Sequence, residues 1–158
     1  CVGGSMVDSC VPGTPSAEVC ADGLDNDCDG ATDSADSDCQ ALNLPDLTGE
    51  WSRPMIARTT ANGWFVHGNL RVTNQSILVN AGRFVIRFYY IPAGGGSPQY
   101  LNRDRSLPGR PAGRTTNVTF RHMFSSNPSG GSILAVIDAT GTVDESNESN
   151  NEDTESIP

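Results

Sequence analysis

Apolar and polar residues alternate along much of the chain with the two-residue period of β-strands. Four segments carry the pattern most strongly: 64–74, 84–91, 115–124 and 132–138. In the first of them, Val66, Leu70 and Val72 share one face, and polar residues occupy the other. Weaker strands are predicted around 46–53, around 99–107 and in the C-terminal tail. About seven short strands, separated by Gly- and Pro-containing turns, predict an all-β fold, an antiparallel β-sandwich.

The chain of 158 residues divides by composition into two parts. Residues 1–41 show no sustained strand or helix period and are rich in Gly, Ser and Asp, whereas residues 42–158 contain the predicted strands. We therefore expect a small appended segment followed by one domain of ordinary size. The sequence contains no apolar run long enough to span a membrane.

Charge is distributed unevenly around a formal net charge of −9. Residues 1–46 contain ten acidic residues and no basic one, and residues 138–158 contain seven acidic residues and no basic one. All ten basic residues are Arg and lie between these ends. Scattered Arg residues in an acidic chain do not suggest nucleic-acid binding. They are compatible with a contact in which an acidic end of one copy meets the basic body of another.

The segment 25–36 has the spacing of a calcium-binding loop. Oxygen-bearing side chains stand at loop positions 1, 3, 5, 9 and 12, and a Gly stands at position 6, where the chain must turn sharply. The predicted ligands are five Asp side chains and one backbone carbonyl: Asp25, Asp27, Asp29, the Ala31 carbonyl, Asp33 and Asp36. Asp36 stands where a bidentate Glu is usual. No apolar helical face flanks the loop, so a helix–loop–helix unit is not expected. The alternative is a solvated acidic loop without metal.

Five cysteines lie within the first 39 residues, which predicts an oxidising and therefore extracellular compartment. An odd number leaves one over. Cys1, followed by small residues, looks like the lipid-carrying cysteine of a mature bacterial lipoprotein. Cys10, Cys20, Cys28 and Cys39 would then form two disulfides. The alternative is that Cys1 pairs with Cys10 and another thiol stays free or joins a second chain. The segment has too few apolar residues for a core, so metal binding and cross-links must supply its stability.

The acidic segment follows the pattern Glu18-x-Cys20-x-Asp22-Gly23-x-Asp25-Asn26-Asp27-Cys28-Asp29-Gly30-x-x-Asp33. Within residues 18–39 this pattern resembles the MopE-type metal-binding motif of secreted bacterial proteins, and it is similar to the Asp-rich calcium repeats of thrombospondin type 3. Many members carry a Cys where this chain has Ser34. Four cysteines allow three pairings, and the sequence does not choose among them. We favour Cys10–Cys20 with Cys28–Cys39, the second closing over the calcium loop.

Short stretches of the second part carry a further resemblance: Pro45–Leu47, Leu70–Gln75, Leu107–Gly109 and, most specifically, Val143–Asn151. The last contains Glu-Ser-Asn-Glu-Ser-Asn-Asn just before the final predicted strand. Residues 45–158 thus resemble CARDB, a bacterial cell-adhesion-related module of immunoglobulin-like fold. The resemblance implies surface display, adhesion or assembly, and it does not imply catalysis.

Few other residues suggest chemistry. His67 lies on the polar face of a predicted strand and His122 near the end of another, where surface or turn histidines are expected. The sequence shows neither a nucleophile–base spacing nor a phosphate-binding Gly loop, so we predict that the protein is not an enzyme. Asn74, Asn117 and Asn147 begin N-glycosylation acceptor sequences.

These observations predict an extracellular, calcium-stabilised structural or adhesion protein of a bacterial surface. It is expected to form a homo-oligomer or a polymer such as a filament, through the sandwich and the N-terminal segment, and to meet a membrane only through a lipid on Cys1. One alternative is a carbohydrate-binding module for surface glycans, for which Tyr89 beside Arg87 is the candidate contact surface. Another is an extracellular copper-binding protein, although carboxylates are harder ligands than copper prefers.

Overall fold

The computed structural model describes residues 17–20, 22–41 and 43–158. The chain divides into two compact units, Cys1–Leu44 and Pro45–Pro158. The composition of the sequence places this division between residues 41 and 42. In the described part of the chain, no helix has both the length and the apolar character needed to cross a membrane.

The larger unit consists of nine strands in two antiparallel sheets. They are β1 (Leu47–Trp51), β2 (Ile56–Thr60), β3 (Gly63–Asn74), β4 (Phe84–Ile91), β5 (Gln99–Tyr100), β6 (Arg105–Leu107), β7 (Thr115–Phe124), β8 (Ser132–Val136) and β9 (Glu152–Ser156).

The first sheet is built around β3, whose alternating sequence sustains a strand of 12 residues. β1 pairs with the C-terminal part of β3, starting with Leu47 opposite Asn74, and β2 pairs with its N-terminal part. The two short strands therefore follow one another along the same edge. β7 covers the other edge of β3, from Trp64 opposite Phe124 to Thr73 opposite Thr115.

The second sheet is built around β4 and β8, in the order β5-β4-β8-β9. β6 also pairs with β4, on the part of β4 that precedes its pairing with β5. β9 has a polar sequence and forms the last strand of the sheet, with Ser156 opposite Ser132. Both sheets bury alternate residues, which is what the two-residue period predicts.

Aromatic side chains fill the space between the sheets. Trp51 and Phe120 come from the first sheet and Phe88 from the second, with ring centroids 5.1–6.1 Å apart. Burying each such side chain stabilises the fold by roughly 1.5–3 kcal/mol. Trp51 also joins β1 to β9, because its backbone N–H donates to Asp153 Oδ2 at 2.7 Å and its Nε1 donates to the Asp153 carbonyl at 3.3 Å.

The predicted β-sandwich and its four main strands are confirmed, and β4 buries alternate residues, Phe84, Ile86 and Phe88, as the alternation of segment 84–91 predicts. The segment 99–107 forms two short strands, because the chain turns between them, where Asn102 has a φ of 52°. The sequence does not predict β2. Four of its five residues are polar or small, and its pairing with β3 depends on residues distant in sequence.

The described residues of the smaller unit form little regular structure. They contain one 3-10 turn, Asp33–Ala35, and one short helix, α1 (Ser37–Ala41). The other described residues of this unit lie in turns, bends and irregular backbone. This agrees with a segment that has too few apolar residues to form a core.

A disulfide joins Cys20 to Cys39, and Cys28 is also disulfide-bonded. The favoured pairing of Cys10 with Cys20 and Cys28 with Cys39 is therefore wrong. α1 brings Cys39 beside Cys20, so the bridge encloses the whole predicted calcium loop, residues 25–36, and not its second half alone. Cys1 and Cys10, with the predicted lipid site, lie outside the described residues.

Replacing Phe120 with Ala should destabilise the sandwich by about 3–5 kcal/mol, because it leaves a cavity between the two sheets. Equilibrium unfolding in urea measures the change. Asn117→Ala is the matched control, since Asn117 lies exposed on the same strand and its loss should change the free energy of unfolding by less than about 0.5 kcal/mol. Equal effects of the two substitutions would contradict the core assignment.

Candidate functional site

Carboxylates of the acidic loop (residues 25–36) bind the loop's own backbone. Asp25 accepts from Cys28 N–H at 2.8 Å through Oδ1 and from Gly30 N–H at 3.1 Å through Oδ2. Asp side chains favour such turns because they reach backbone groups two to five residues ahead. Gly30 has a φ of 96°, a left-handed conformation that glycine adopts without strain.

Glu18 connects both ends of the acidic loop. Its Oε2 accepts from Asn26 N–H at 2.8 Å, and its Oε1 accepts from Asp33 N–H at 2.9 Å. Asp33 Oδ1 in turn accepts from the N–H groups of Asp22 and Gly23 at 3.1 and 3.2 Å. The spacing of the Asp residues does not predict Glu18 as part of the site, because Glu18 lies seven positions before the loop begins. Its place at the head of the acidic pattern was the available signal.

Two groups of carboxylates converge in this unit: Asp27 with Asp29 and Asp36, and Glu18 with Asp25 and Asp27. Within each group the candidate ligand atoms lie within 4.8 Å of one another, and Asp27 belongs to both. Calcium holds oxygen ligands at about 2.3–2.6 Å, so ligands on opposite sides of the ion are roughly 5 Å apart. Both groups have the spacing to share a cation.

Asp36 provides the second indication of a cation. The residue is fully buried, and its Oδ1 accepts from Asp38 N–H at 2.6 Å. Its Oδ2 is buried and has no hydrogen-bond partner among the residues that the structure describes. A buried carboxylate oxygen without a partner costs several kcal/mol, and a cation beside it removes this cost. The residues present therefore fit a hard metal ion.

The raised pKa of Asp27 also supports a cation in this group of carboxylates. Partial burial raises the pKa of Asp27, and the nearby carboxylates of Asp29, Asp36 and Glu18 raise it further. The hydrogen bond from Asp29 N–H, at 3.2 Å, opposes these effects. Repulsion that favours a proton on Asp27 also favours a dication among the same oxygens.

The structure gathers part of the predicted ligand set. Asp27, Asp29 and Asp36 converge, whereas Asp25 converges with Asp27 and Glu18. Ala31 donates its N–H to Asp29 Oδ1 at 2.8 Å, and Asp33 belongs to neither group. The assignment of Ala31 and Asp33 as ligands stays a prediction.

The two histidines take no part in these groups. His67 is partly exposed on β3, and His122 packs between the rings of Phe120 and Phe124. Burial lowers the pKa of His122, with a further contribution from the charge of Arg103. Every candidate ligand group in the described part of the chain contains carboxylates alone.

Asn74 anchors the loop that follows β3. Its side chain is fully buried, its Nδ2 donates to the carbonyls of Val79 and Arg110 at 2.7 and 3.0 Å, and its Oδ1 accepts from Asp46 N–H at 3.1 Å. An amide used in this way is not available to a glycan in the folded protein, which corrects the predicted acceptor site at Asn74. The acceptor sites at Asn117 and Asn147, both exposed, stay predictions.

Glu145 joins the start of β1 to the segment that precedes β9. The side chain is 7% exposed; its Oε2 accepts from Leu47 N–H and its Oε1 accepts from Asn151 Nδ2 at 3.0 Å. Burial raises the pKa of Glu145 to about 7, and the charges of Glu148 and Asp138 add to this. The hydrogen bonds from Leu47 and Asn151 act in the opposite direction.

The predicted contact surface around Arg87 forms a compact cluster. Arg87 Nε and Nη2 donate to Asp104 at 3.3 and 3.2 Å, and Tyr100 Oη donates to the same carboxylate at 2.9 Å. The Arg87 guanidinium carbon lies over the Tyr100 ring, 5.3 Å from its centroid, and Tyr89 packs against that ring. The polar groups of the cluster thus satisfy one another.

The fold defines an immunoglobulin-like antiparallel β-sandwich. The CARDB family model matches residues 69–155, which is more than half of the chain, and the protein therefore belongs to the CARDB family.

Among solved structures, the chain is similar to the CARDB domain of a Pyrococcus furiosus protein, which was crystallised in complex with di-metal ions. The TM-score is 0.52 at 20% identity, and the match covers 73% of this chain and 93% of that one. A β-glucosidase from Listeria innocua matches with a TM-score of 0.42 at 16% identity, over 72% of this chain and 16% of that one, and carries no argument. The search of the curated proteins gave no significant match.

Glu145→Gln should flatten the pH dependence of stability. A folded-state pKa raised from 4.5 to about 7 means that the stability associated with the protonated side chain is full below pH 4.5 and is lost as the pH rises through 7. Gln stays neutral and keeps an oxygen for Leu47 N–H. The advantage of the variant over the wild type should therefore grow between pH 5 and 8, by up to roughly 3 kcal/mol.

Urea unfolding at several pH values measures this difference. Asp144→Asn is the matched control, because Asp144 is exposed in the same segment, and its profile should run parallel to the wild type. A parallel profile for Glu145→Gln would contradict the assignment.

Proposed function

We propose that this protein is a non-catalytic structural or adhesion module of a bacterial surface, and that calcium holds its N-terminal unit in shape. The single observation that carries the calcium proposal is the fully buried Asp36, which converges with Asp27 and Asp29. Within the described part of the chain, its Oδ2 has no hydrogen-bond partner. The cation would act as a permanent structural element in calcium-rich surroundings, not as a signal.

Charge density supports a dication in this unit. Ten acidic residues and no basic residue occupy positions 1–46, so no side chain of the segment can neutralise its carboxylates. Backbone N–H groups stabilise several of them, but the hydrogen bonds carry no net positive charge. A metal-bound form gains the free energy that a core would supply in a larger domain.

The donor chemistry favours calcium over copper. Both ligand groups consist of carboxylate oxygens, which suit hard cations, whereas copper prefers imidazole and sulfur. Cys20, Cys28 and Cys39 are disulfide-bonded, which removes their thiolates as ligands.

A surface location is supported by the same disulfides, since such bonds persist in oxidising compartments. Exposed acceptor sites at Asn117 and Asn147 are compatible with glycans on an extracellular protein. Membership of the CARDB family supports an adhesion-related role without catalysis.

Self-association is supported by the outer edge of β7. Within the sandwich β7 pairs only with β3. It is ten residues long, it lacks proline, and its single charged residue is Arg121. Long edges without protective charges or prolines are templates for added strands. We propose that a strand from a second copy adds here and extends the protein into an oligomer or filament.

The glycan-binding alternative has weaker support. Tyr100 is 48% exposed beside Tyr89 and offers an aromatic surface. However, Arg87 and Asp104, the polar groups that would orient a sugar, already bind each other. A sugar would have to break this pair in order to use it.

Asp36→Asn should weaken calcium binding at the acidic loop at least tenfold, because it removes the buried charge while keeping the shape of the side chain. Nuclear magnetic resonance titration of the full chain follows the backbone amides of Gly23 and Gly30, which report on this unit alone. Asp38→Asn is the control, since Asp38 is exposed and lies outside both ligand groups, and its affinity should stay within twofold. Unchanged Gly30 signals on addition of calcium to the wild type would refute the site.

Thr119→Pro should abolish assembly without unfolding the sandwich. Asn74 N–H donates to the carbonyl of Arg114, so alternation along the ladder directs the backbone groups of Thr119 away from β3. Proline there removes a donor from the free edge only. Thr119→Ala is the control, because both variants lose the side-chain bond to Asn69.

Negative-stain microscopy, with calcium and with a chelator, measures the outcome of these substitutions. We expect assemblies of the wild type and of Thr119→Ala in calcium, and monomers of Thr119→Pro. Monomers of the wild type under both conditions would overturn the proposal of self-assembly.

A further inference from the structure

An open cleft of about 430 Å³ lies where β8 ends and β9 begins. Three carboxylates line it: Asp138, Glu148 and Glu152. No basic residue is found among its lining residues or anywhere between positions 138 and 158. The cleft is therefore acidic, and it belongs entirely to the sandwich.

Asn151 places a buried acceptor oxygen at this cleft, which is independent of the acidic charge. The residue lines the cleft and is 7% exposed. Its Nδ2 donates to Glu145 Oε1 at 3.0 Å and to Glu148 Oε2 at 3.4 Å, which fixes the orientation of the amide. Its Oδ1 is buried, and none of the described residues gives it a hydrogen bond. An acceptor that folding has buried in this way needs a donor or a cation.

Asp138 is held in place on the other side of the cleft. Its Oδ2 accepts from Val143 N–H at 2.8 Å and its Oδ1 accepts from Thr142 Oγ1 at 3.0 Å. Each carboxylate oxygen has more than one lone pair, so these bonds leave capacity for a metal ion. Glu148 and Glu152 are exposed side chains at the rim of the cleft. Both Glu148 oxygens accept a hydrogen bond from neighbouring groups, and each keeps lone-pair capacity for an ion.

We propose that this cleft is a second divalent-cation site, which takes a hard ion such as Ca²⁺. Asn151 Oδ1 and Asp138 provide preset ligands, and Glu148 and Glu152 complete the coordination from the rim. Mixed amide and carboxylate oxygens are the ligands that calcium prefers. The ion would join the end of β8 to the start of β9, and it would bind Asn151 Oδ1. This inference does not depend on the acidic loop.

The test uses the full chain carrying Asp27→Asn and Asp36→Asn, so that the acidic loop does not compete for calcium. Nuclear magnetic resonance titration with calcium chloride follows the side-chain amide of Asn151. We expect this signal to shift and saturate in the double variant as it does in the wild type. An Asn151 signal that stays unchanged in both proteins would overturn the proposal.

A rim variant tests the ligands. Glu152→Gln should weaken the calcium affinity read from Asn151 at least fivefold. Glu148 is left unchanged, because its Oε2 accepts directly from the Asn151 amide that is followed. Glu152 is exposed, so folding should persist, which the spread of the amide signals confirms. Glu155→Gln, in β9 but outside the cleft, should stay within twofold. Equal affinities of the rim and control variants would also overturn the proposal.

Failure of this site and failure of the acidic loop are distinguishable. The loop is read from Gly30 and the cleft from Asn151, so that each resonance reports one site in the same titration. A response at Gly30 without one at Asn151 would support the acidic loop and refute the second site.

Discussion

Uncompensated negative charge is the constraint on which the N-terminal unit depends. Its carboxylates have no basic side chain within the first 46 residues, and the unit has too few apolar residues to form a core. In the described residues, backbone N–H groups donate hydrogen bonds to these carboxylates, for example to Glu18 and Asp25. The Cys20–Cys39 disulfide lowers the conformational entropy of the unfolded chain, but it neutralises no charge. Asp36 Oδ2 remains as the group that only a donor or a cation can satisfy.

Buried polar side chains hold the loops at one end of the sandwich. The aromatic core explains why the sheets pack, but it does not explain how the loops between them are held. Buried polar side chains do this: Asn74 binds the backbone on both sides of its loop, and Glu145 reaches Leu47 N–H across 98 residues of sequence. These residues satisfy backbone groups that no strand ladder reaches. A polar signature before the last strand is therefore part of how the fold closes.

The sequence predicted the sandwich well because its strands are long and their alternation is strong, as in β3 and β4. It missed β2, whose existence depends on the edge that β3 offers and not on its own composition. The spacing of Asp residues predicted a metal loop, yet it did not predict Glu18, which the fold brings back to the loop from outside. The disulfide pairing depended on the direction of α1, and four cysteines alone do not determine it. The sequence thus predicts features that depend on neighbouring residues, and it does not predict contacts between residues distant in sequence.

The proposed cation binding and the proposed self-association would be linked through charge. The chain carries a net charge of −9, so copies repel one another when no cation is bound. One bound Ca²⁺ would change this charge to −7, and a second to −5, since each ion adds two positive charges. The reduction falls on the acidic segments, while the Arg residues of the middle segment are unaffected. Calcium would therefore lower repulsion between copies and leave the charge of Arg121, which is exposed in β7, unchanged. A protein in calcium-rich surroundings would assemble more readily than the same chain in a cation-poor compartment, without any change of fold.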